Sequence, residues 1–195
     1  DYNPDKFSLG VAATAARGSS ATFLVCSSDP ARVAAAEYIA AEAEKYGIKL
    51  ALHPDDPPMH LGNVARIMTS YENIDKAINK IVPSKNLGVT MCQATYHMMG
   101  EDLYKVIPEL AKKIFFVHFR NCRGTLTDFQ ETFHDNGDIK MAEIMKLYKQ
   151  CGVNVPIRVD HVPTLLGENS VNQGYDALGR LYAIGYLKGM IEALN

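Results

Sequence analysis

The sequence predicts an α/β fold built on a parallel sheet, and three observations support this class. Short apolar segments alternate along the chain with longer segments that have helical periodicity. The apolar segments lack the polar alternation of a half-exposed strand, so they fit strands that are buried on both faces. A helical segment separates each one from the next, as the crossover between parallel strands requires.

Four apolar segments are predicted to be strands, and they cover residues 48–52, 86–93, 114–119 and 155–160. A fifth candidate strand at residues 21–27 lies in a lead-in, residues 1–28, that is otherwise predicted to be irregular. A closed eight-stranded barrel usually needs about 250 residues. The 195 residues of this chain therefore predict a partial barrel of four or five strands, or a small open sheet.

Capping residues and helix-breaking residues predict where the helices begin and end. Asp29 and Pro30 suit the N-cap and first turn of a helix that Gly47 ends. Thr69 and Glu72 have the spacing of a capping box, in front of a helical stretch through residue 81. No repeat or linker divides the chain, so residues 1–195 are predicted to form a single domain. The remaining helices are predicted at residues 101–113, 139–150 and 175–194.

The composition argues against several classes of protein. Twenty Lys and Arg against 22 Asp and Glu give a net charge of −2, without the basic excess of a nucleic-acid-binding protein. No apolar run reaches the roughly 18 residues of a membrane span, and the first residues do not resemble a signal peptide. The four cysteines form no C-x-x-C pair, which favours free thiols and a cytoplasmic location. We therefore expect a small-molecule partner, with neither nucleic acid nor membrane.

A chemically capable side chain ends each of the four predicted strands. Ligands of parallel α/β folds bind at the carboxyl ends of the strands, so these side chains are expected to meet. Their nitrogen, sulfur and oxygen atoms suit a divalent transition metal. The alternative is that each is a packed core residue, since cysteine in particular is often buried. The four residues are His53, Cys92, His118 and Asp160.

Charged residues beside these strand ends predict a substrate site. Asp55 and Asp56 lie between prolines, which hold them extended as a platform for a substrate or for metal ligands. The alternative for this pair is a solvated acidic turn. Arg120 follows the third strand and Arg158 shares a strand face with Asp160, so either arginine suits a substrate carboxylate. A structural ion pair is the alternative for both arginines.

Two further features follow the third and fourth strands. The segment 129–138 is dense in titratable groups and is predicted to be a functional loop, or else a polar turn that caps the next helix. Tyr175 begins the last predicted helix, near Asp160, where it is suited to act as an acid or a base.

These residues together resemble the mannonate dehydratase family of bacterial hexuronate breakdown. The resemblance covers residues from about 45 to 195, and the His-Pro-Asp-Asp-Pro-Pro run is its most specific motif. The matching segments occur in the family's order and with very similar spacing: LALHPDDPP, GVTMCQA, VHFRN, FQETFHDNGDIKM, IRVDHV, GE and GYDALGRLYAIGYLKGM.

The resemblance implies a TIM barrel of the xylose-isomerase-like kind, here without the family's N-terminal strands. It implies a divalent metal, usually Mn²⁺, on the four strand-end residues, with Fe²⁺, Co²⁺, Ni²⁺ and Zn²⁺ as alternatives. It implies catalytic roles for Tyr175, Asp160 and the loop histidine His134. The substrate-binding positions predicted are Asp55, Arg120, Asn121, Arg158 and His161.

The activity implied is metal-dependent dehydration of D-mannonate or a related aldonate to a 2-keto-3-deoxy acid. A sugar isomerase or epimerase on the same barrel is the first alternative, which the thiol of Cys92 disfavours. A non-catalytic remnant, stable only as an oligomer, is the second. Departures from the family pattern leave the exact sugar acid open, and they lie in residues 93–95, at Gln130 and in residues 158–162.

An incomplete barrel leaves two sheet edges, so we expect a homo-oligomer, with a dimer as the simplest form. Tyr182 and Tyr186 lie one turn apart on the last predicted helix, and they are predicted either to contribute to the contact or to pack inside the protomer.

Overall fold

The computed structural model describes residues 11–12, 22–23, 30–62, 66–169, 171 and 173–194. Eight strands occur in this part of the chain, and four of them form a parallel sheet. The strands are β1 (Val11–Ala12), β2 (Thr22–Phe23), β3 (Leu50–Leu52), β4 (Leu87–Cys92), β5 (Ile114–His118), β6 (Cys122–Thr125), β7 (Asp128–Glu131) and β8 (Ile157–Arg158).

Six α-helices in the described ranges connect and cover these strands. Two of them continue into other helical forms: a π-helix follows the second at Ala77–Ile81, and a 3₁₀ turn follows the fourth at Ala111–Lys113. None of the helices described has the length and apolar character needed to cross a membrane. The helices are α1 (Pro30–Lys45), α2 (Tyr71–Lys76), α3 (Gln93–Met98), α4 (Leu103–Leu110), α5 (Met141–Gln150) and α6 (Ala177–Leu194).

The central sheet has the order β3-β4-β5-β8, with every neighbouring pair parallel. Each strand lies beside the one before it in the sheet, which is how a barrel wall grows along the chain. All residues of β3 and β4 are buried, as expected where helices cover one face and the barrel interior the other. The predicted α/β fold on a parallel sheet is therefore confirmed.

The predicted fifth strand is only partly confirmed. Thr22–Phe23 is a strand, but it pairs antiparallel with Val11–Ala12 and does not join the parallel sheet. The rest of residues 21–27 and of the 1–28 lead-in lies outside the described residues, as does Asp29.

Three local predictions are corrected by the structure. The N-cap of α2 is Ser70, whose hydroxyl accepts a hydrogen bond from the amide of Asn73 at 3.2 Å, so the capping box is not formed at Thr69. A short helix, α3, follows β4 directly where no helix was predicted. The start of the predicted loop 129–138 forms strand β7, which pairs antiparallel with β6 in a hairpin.

A β-bulge sets the register between β4 and β5. Val89 lies opposite Ile114 but Thr90 lies opposite Phe116, so Phe115 is an extra residue in β5. The shift places His118 opposite Cys92, whereas the register before the bulge would have continued to Val117. Gly88 allows this close approach, because a Cβ there would lie 2.0 Å from the carbonyl oxygen of Lys113.

Replacing Gly88 by alanine is expected to lower the free energy of unfolding by at least about 1–3 kcal/mol, the usual cost of overpacking. The clash is with backbone, which cannot move aside as a flexible side chain can. Urea denaturation of Gly88→Ala and Gly185→Ala would test this. Among the described residues, nothing beyond the backbone of α6 itself and the adjacent residues lies within 4 Å of a Cβ at Gly185, so that variant is expected to gain about 0.5–1 kcal/mol. Equal midpoints for the two variants would contradict the assignment of the bulge.

Candidate metal centre and substrate site

Three of the predicted metal ligands meet at the carboxyl ends of β3, β4 and β5. The ligand atoms of His53, Cys92 and His118 all lie within 4.8 Å of one another, and we call these residues the donor triad. Nε2 of His53 is 3.0 Å from Nδ1 of His118. Two imidazoles and one thiol form a nitrogen and sulfur donor set of the kind that binds divalent transition metals.

Asp160 reaches this group through His118. It follows β8, and its Oδ2 lies 3.3 Å from Nδ1 of His118, but it does not share the 4.8 Å spacing of the donor triad. Burial alone would raise the pKa of Asp160, but the hydrogen bond with His118 and the nearby cationic groups hold that pKa well below its usual range. Asp160 is therefore a carboxylate at neutral pH, as a metal ligand must be.

The protein also orients the donor atoms. Nδ1 of His53 lies 2.6 Å from the carbonyl oxygen of Pro54, so Nδ1 carries the hydrogen. The lone pair of Nε2 then faces His118, the neighbouring member of the donor triad. Burial lowers the pKa of His53, which keeps the ring neutral. Thr95 Oγ1 donates to the sulfur of Cys92 at 3.0 Å. Burial alone would lower the pKa of His118, but its hydrogen bonds to Asp160 and Cys92 raise it.

Buried polar atoms without a hydrogen-bond partner are concentrated around Asp160. Seven such side-chain atoms occur among the described residues, and six belong to the segments that surround Asp160. Folded proteins leave few buried polar groups unpaired, so this concentration fits a site that binds polar ligands. The six atoms are Arg120 Nε, Glu131 Oε2, Thr132 Oγ1, His134 Nδ1, Arg158 Nε and Asp160 Oδ1.

Arg120 lies at the centre of an ion-pair network. Its side chain is fully buried and makes a charge-assisted hydrogen bond to Asp56. Its guanidinium also lies 3.3 Å from Oε1 of Glu131 and 3.6 Å from Oδ2 of Asp160. Three carboxylates therefore surround this cation, which matches the structural ion pair that the sequence left as an alternative.

Tyr175, His161 and Glu131 form a hydrogen-bonded row next to Asp160. Nδ1 of His161 lies 3.0 Å from Oε1 of Glu131, and Nε2 lies 2.8 Å from the hydroxyl of Tyr175. The guanidinium of Arg158 lies over the Tyr175 ring at 5.2 Å, and its Nη2 is 3.4 Å from Oδ1 of Asp160. Burial and the Asp160 carboxylate raise the pKa of Tyr175, so the phenol keeps its proton.

Two of the predicted substrate-binding residues are engaged by the protein itself. Oδ2 of Asp55 accepts a hydrogen bond from the amide of Met68 at 2.9 Å, and its Oδ1 lies 3.9 Å from Arg66. The amide of Asn121 donates to two backbone carbonyls and accepts from two backbone N–H groups. Asn121 thus has no hydrogen-bonding capacity left for a substrate.

His134 also makes its contact with the protein backbone. It is fully buried, and its Nε2 lies 2.9 Å from the carbonyl oxygen of Val159. Burial lowers the pKa of His134, so the ring is neutral and Nε2 donates its hydrogen to this carbonyl.

Glu131 and Thr95 contact site residues although the sequence did not single them out, and Asp56 was predicted only together with Asp55, as part of a platform. Asp56 stands beside Asp55 in the same motif, and Glu131 lies in the segment already marked as rich in titratable groups. The signal was therefore present, but alternation along an irregular loop does not show which carboxylate faces inward. Thr95 carried no signal of its own.

Two departures from the family pattern point away from the site. Gln93 is buried against α5, where it contacts Met141 and the hydroxyl of Tyr148. Gln130 is exposed on β7 and lies on the opposite face of that strand from Glu131. At these two positions the side chains therefore face α5 and solvent.

Comparison with known proteins adds a family match. The profile of the D-mannonate dehydratase (UxuA) family matches residues 36–195. A mannonate dehydratase of Streptococcus agalactiae serotype Ia is 35% identical over 162 residues, which are 78% of this chain and 45% of that protein. Mannonate dehydratase 2 of Halalkalibacterium halodurans is 33% identical over 78% of this chain and 46% of its own length. The chain thus spans about half the length of these curated relatives.

Solved structures agree with the fold. The crystal structure of mannonate dehydratase from Streptococcus suis serotype 2 superposes with a TM-score of 0.75 at 32% identity, over 85% of this chain and 50% of that one. A D-tagatose 3-epimerase-like protein superposes with a TM-score of 0.62 at 20% identity, over 84% of this chain and 54% of that one. A xylose isomerase-like TIM barrel protein of Mycobacterium smegmatis superposes with a TM-score of 0.58 at 16% identity, over 86% of this chain and 53% of that one. The sheet is therefore part of a xylose-isomerase-like TIM barrel.

Replacing Cys92 by serine is expected to lower the affinity for divalent metal at least 10-fold, because loss of a group that only supports a ligand already costs about 10–100-fold. Serine has nearly the same size, so the fold is expected to persist. Equilibrium titration with Co²⁺ would measure the affinity. Cys151→Ser is the control, since Cys151 lies outside the donor triad. Equal affinities for both variants and the parent chain would show that Cys92 is a packed core residue and not a metal ligand.

Proposed function

Because the chain belongs to the mannonate dehydratase family, we propose that it takes part in the metal-dependent dehydration of a sugar acid. The substrate class is an aldonate such as D-mannonate, and the product is a 2-keto-3-deoxy acid. The observation that carries the proposal is the position of the Glu131–His161–Tyr175 row, which is linked through Asp160 to the donor triad. A metal-binding group and a proton-transfer group at one barrel edge are what such a dehydration needs.

The donor triad with Asp160 is proposed to hold Mn²⁺. When bound, the cation would act as a Lewis acid that acidifies the C2 hydrogen of the aldonate. A manganese site accepts the Asp160 carboxylate and the two imidazoles readily, and the thiol of Cys92 also admits softer ions. Metal analysis of the chain after exchange against equal concentrations of Mn²⁺, Fe²⁺, Co²⁺, Ni²⁺ and Zn²⁺ would establish the preference.

Arg158 is the arginine best placed to bind the substrate carboxylate. Its side chain is 38% exposed, whereas Arg120 is 1% exposed and surrounded by three carboxylates. An arginine with free N–H groups binds a carboxylate in a bidentate manner. Arg120 instead offsets part of the negative charge of the carboxylates around the site, which favours the approach of an anionic substrate.

The row of Glu131, His161 and Tyr175 is proposed to move the protons. Glu131 accepts the Nδ1 hydrogen of His161, which leaves Nε2 without a hydrogen and therefore able to take the C2 proton of the aldonate. Tyr175 keeps its own proton and can deliver it to the C3 hydroxyl, which leaves as water when the C3–O bond breaks. The resulting enol becomes the 2-keto acid. The 2.8 Å contact between His161 and Tyr175 lets the proton return to the phenol.

A sugar isomerase or epimerase on the same scaffold remains the second candidate, but no contact in the site favours it. The epimerase-like neighbour is only 20% identical and shares the fold alone. Such enzymes typically bind their metal with more carboxylates and no thiolate, whereas the ligand set proposed here holds one thiol and one carboxylate, from Cys92 and Asp160. A product assay separates the two candidates, because only the dehydratase releases water and forms a 3-deoxy compound.

A homo-oligomer, with a dimer as its simplest form, is proposed for the chain in solution. One face of α6 packs on the domain through Gly179, Ala183 and Leu187. Tyr182 is stacked on Tyr186 and packs against Phe133, so the two tyrosines contact the protomer and are only partly available to a partner. Light scattering is expected to give a mass above that of one chain. The apolar residues that α6 leaves exposed are Leu178, Leu181, Ile184 and Ile191.

Replacing Tyr175 by phenylalanine is expected to lower the rate of 2-keto-3-deoxy acid formation by about 10²–10⁴-fold, the usual contribution of a positioned proton donor. The assay would use the Mn²⁺-loaded chain and a panel of aldonates. Metal content is expected to stay unchanged, because Tyr175 is not a ligand.

Tyr104→Phe is the matched control, since Tyr104 lies on α4 and bonds Glu143 at the surface. Equal rates for the two variants would show that Tyr175 is not the proton donor. Absence of any 3-deoxy product from the parent chain, with metal bound and every aldonate tested, would overturn the proposed function.

A further inference from the structure

Asp160 has an unusual backbone conformation. Its φ angle is +61°, and it is the only non-glycine residue in the described part of the chain with a positive φ. This left-handed conformation is strained for a residue with a Cβ, and it persists only where neighbouring groups hold the chain in place. The conformation matters here because it directs the carboxylate to Nδ1 of His118, 3.3 Å away.

Two hydrogen bonds hold the backbone just before Asp160. The amide of Phe119 donates to the carbonyl oxygen of Arg158 at 2.7 Å, which continues the pairing of β5 with β8. The Nε2 hydrogen of His134 is donated to the carbonyl oxygen of Val159 at 2.9 Å. The second bond fixes the peptide that joins Val159 to Asp160, and it comes from a side chain that is fully buried.

Hydrogen bonds from Asn121 hold the loop that carries His134. Asn121 donates to the carbonyl oxygens of His134 and Ile139, at 3.0 and 2.9 Å. Gly137 leaves room for this amide, because a Cβ at Gly137 would lie 2.1 Å from Oδ1 of Asn121. His134 is therefore part of a fixed loop, and its imidazole cannot turn towards a substrate without breaking the bond to Val159.

We propose that His134 is a positioning residue, which holds the Val159 carbonyl and so keeps the Asp160 carboxylate aimed at the donor triad. This inference rests on the proposed function only in that it treats Asp160 as a metal ligand. Without the His134 bond, the peptide before Asp160 can rotate, the backbone relaxes to a negative φ, and the carboxylate moves away from His118.

Two substitutions separate the hydrogen bond from the volume of the side chain. His134→Gln retains an N–H donor at about the position of Nε2, whereas His134→Leu fills similar space without a donor. Titration with Co²⁺ would give the affinity, and the visible spectrum of the cobalt form would report the number of ligands. We expect His134→Gln to stay within about threefold of the parent chain and His134→Leu to bind about 10–100-fold more weakly, with an altered spectrum.

Asn86→Leu is the matched control for a buried donor. Asn86 donates to the carbonyl oxygens of Ala43 and Ile48, at the end of β4 opposite to Cys92. Its loss is expected to lower stability in urea without changing the affinity for Co²⁺ or the spectrum. Unchanged Co²⁺ binding in His134→Leu, or an equal loss in Asn86→Leu, would overturn the proposal.

If His134→Leu does not fold, His134→Asn replaces it, since an asparagine side chain is too short to reach Val159. Equal affinities of the asparagine and glutamine variants would then refute the positioning role.

If the parent chain binds no Co²⁺ at all, the proposed function fails, and crystal structures of the metal-free variants test the role of His134 separately. The parent and His134→Gln are expected to keep Asp160 against His118, and the donor-free variant is expected to lose that contact. If Asp160 keeps its contact with His118 in the variant that lacks the donor, His134→Leu or His134→Asn, the inference is refuted.

Discussion

The metal centre depends on one extra residue in β5. The bulge at Phe115 shifts the pairing with β4 so that His118, and not Val117, lies opposite Cys92. Because alternate residues of a strand face opposite sides of the sheet, a one-residue error would turn the imidazole into the helix layer. Gly88 permits the bulge by leaving space for the Lys113 carbonyl. A glycine with no catalytic chemistry thus determines whether the donor triad can form.

A second constraint is electrostatic. Arg120 is buried, and a buried charge is tolerated only when it is paired and hydrogen-bonded. Its three carboxylate partners come from the segment after β3, from β7 and from the end of β8. The same interactions therefore hold three segments of the barrel edge together. Removing Arg120 would leave three neighbouring carboxylates without this cation, which costs more than the loss of one contact.

The site also shows how supporting residues can resemble functional ones. Asn121 and Asp55 are polar, buried and next to ligands, but both are engaged by backbone groups. A barrel edge consists largely of irregular backbone, whose carbonyl and N–H groups need partners once they are buried. Part of the polar density in this sequence therefore supports the loops, and another part faces the donor triad.

The fold class and the place of the chemistry along the chain follow from the amino-acid sequence alone. Apolar runs show where strands end, so the sequence identifies His53, Cys92 and His118 as strand-end residues. The β4–β5 bulge, the β6–β7 hairpin, and the choice of Asp56 over Asp55 and Glu131 over its neighbours were decided only by the tertiary structure. Apolar periodicity reports burial along a regular element, whereas the direction of a side chain in a loop depends on partners that are distant in sequence. Arg120 shows the difference: its position followed from the strand before it, but its role followed from three carboxylates that only folding brings together.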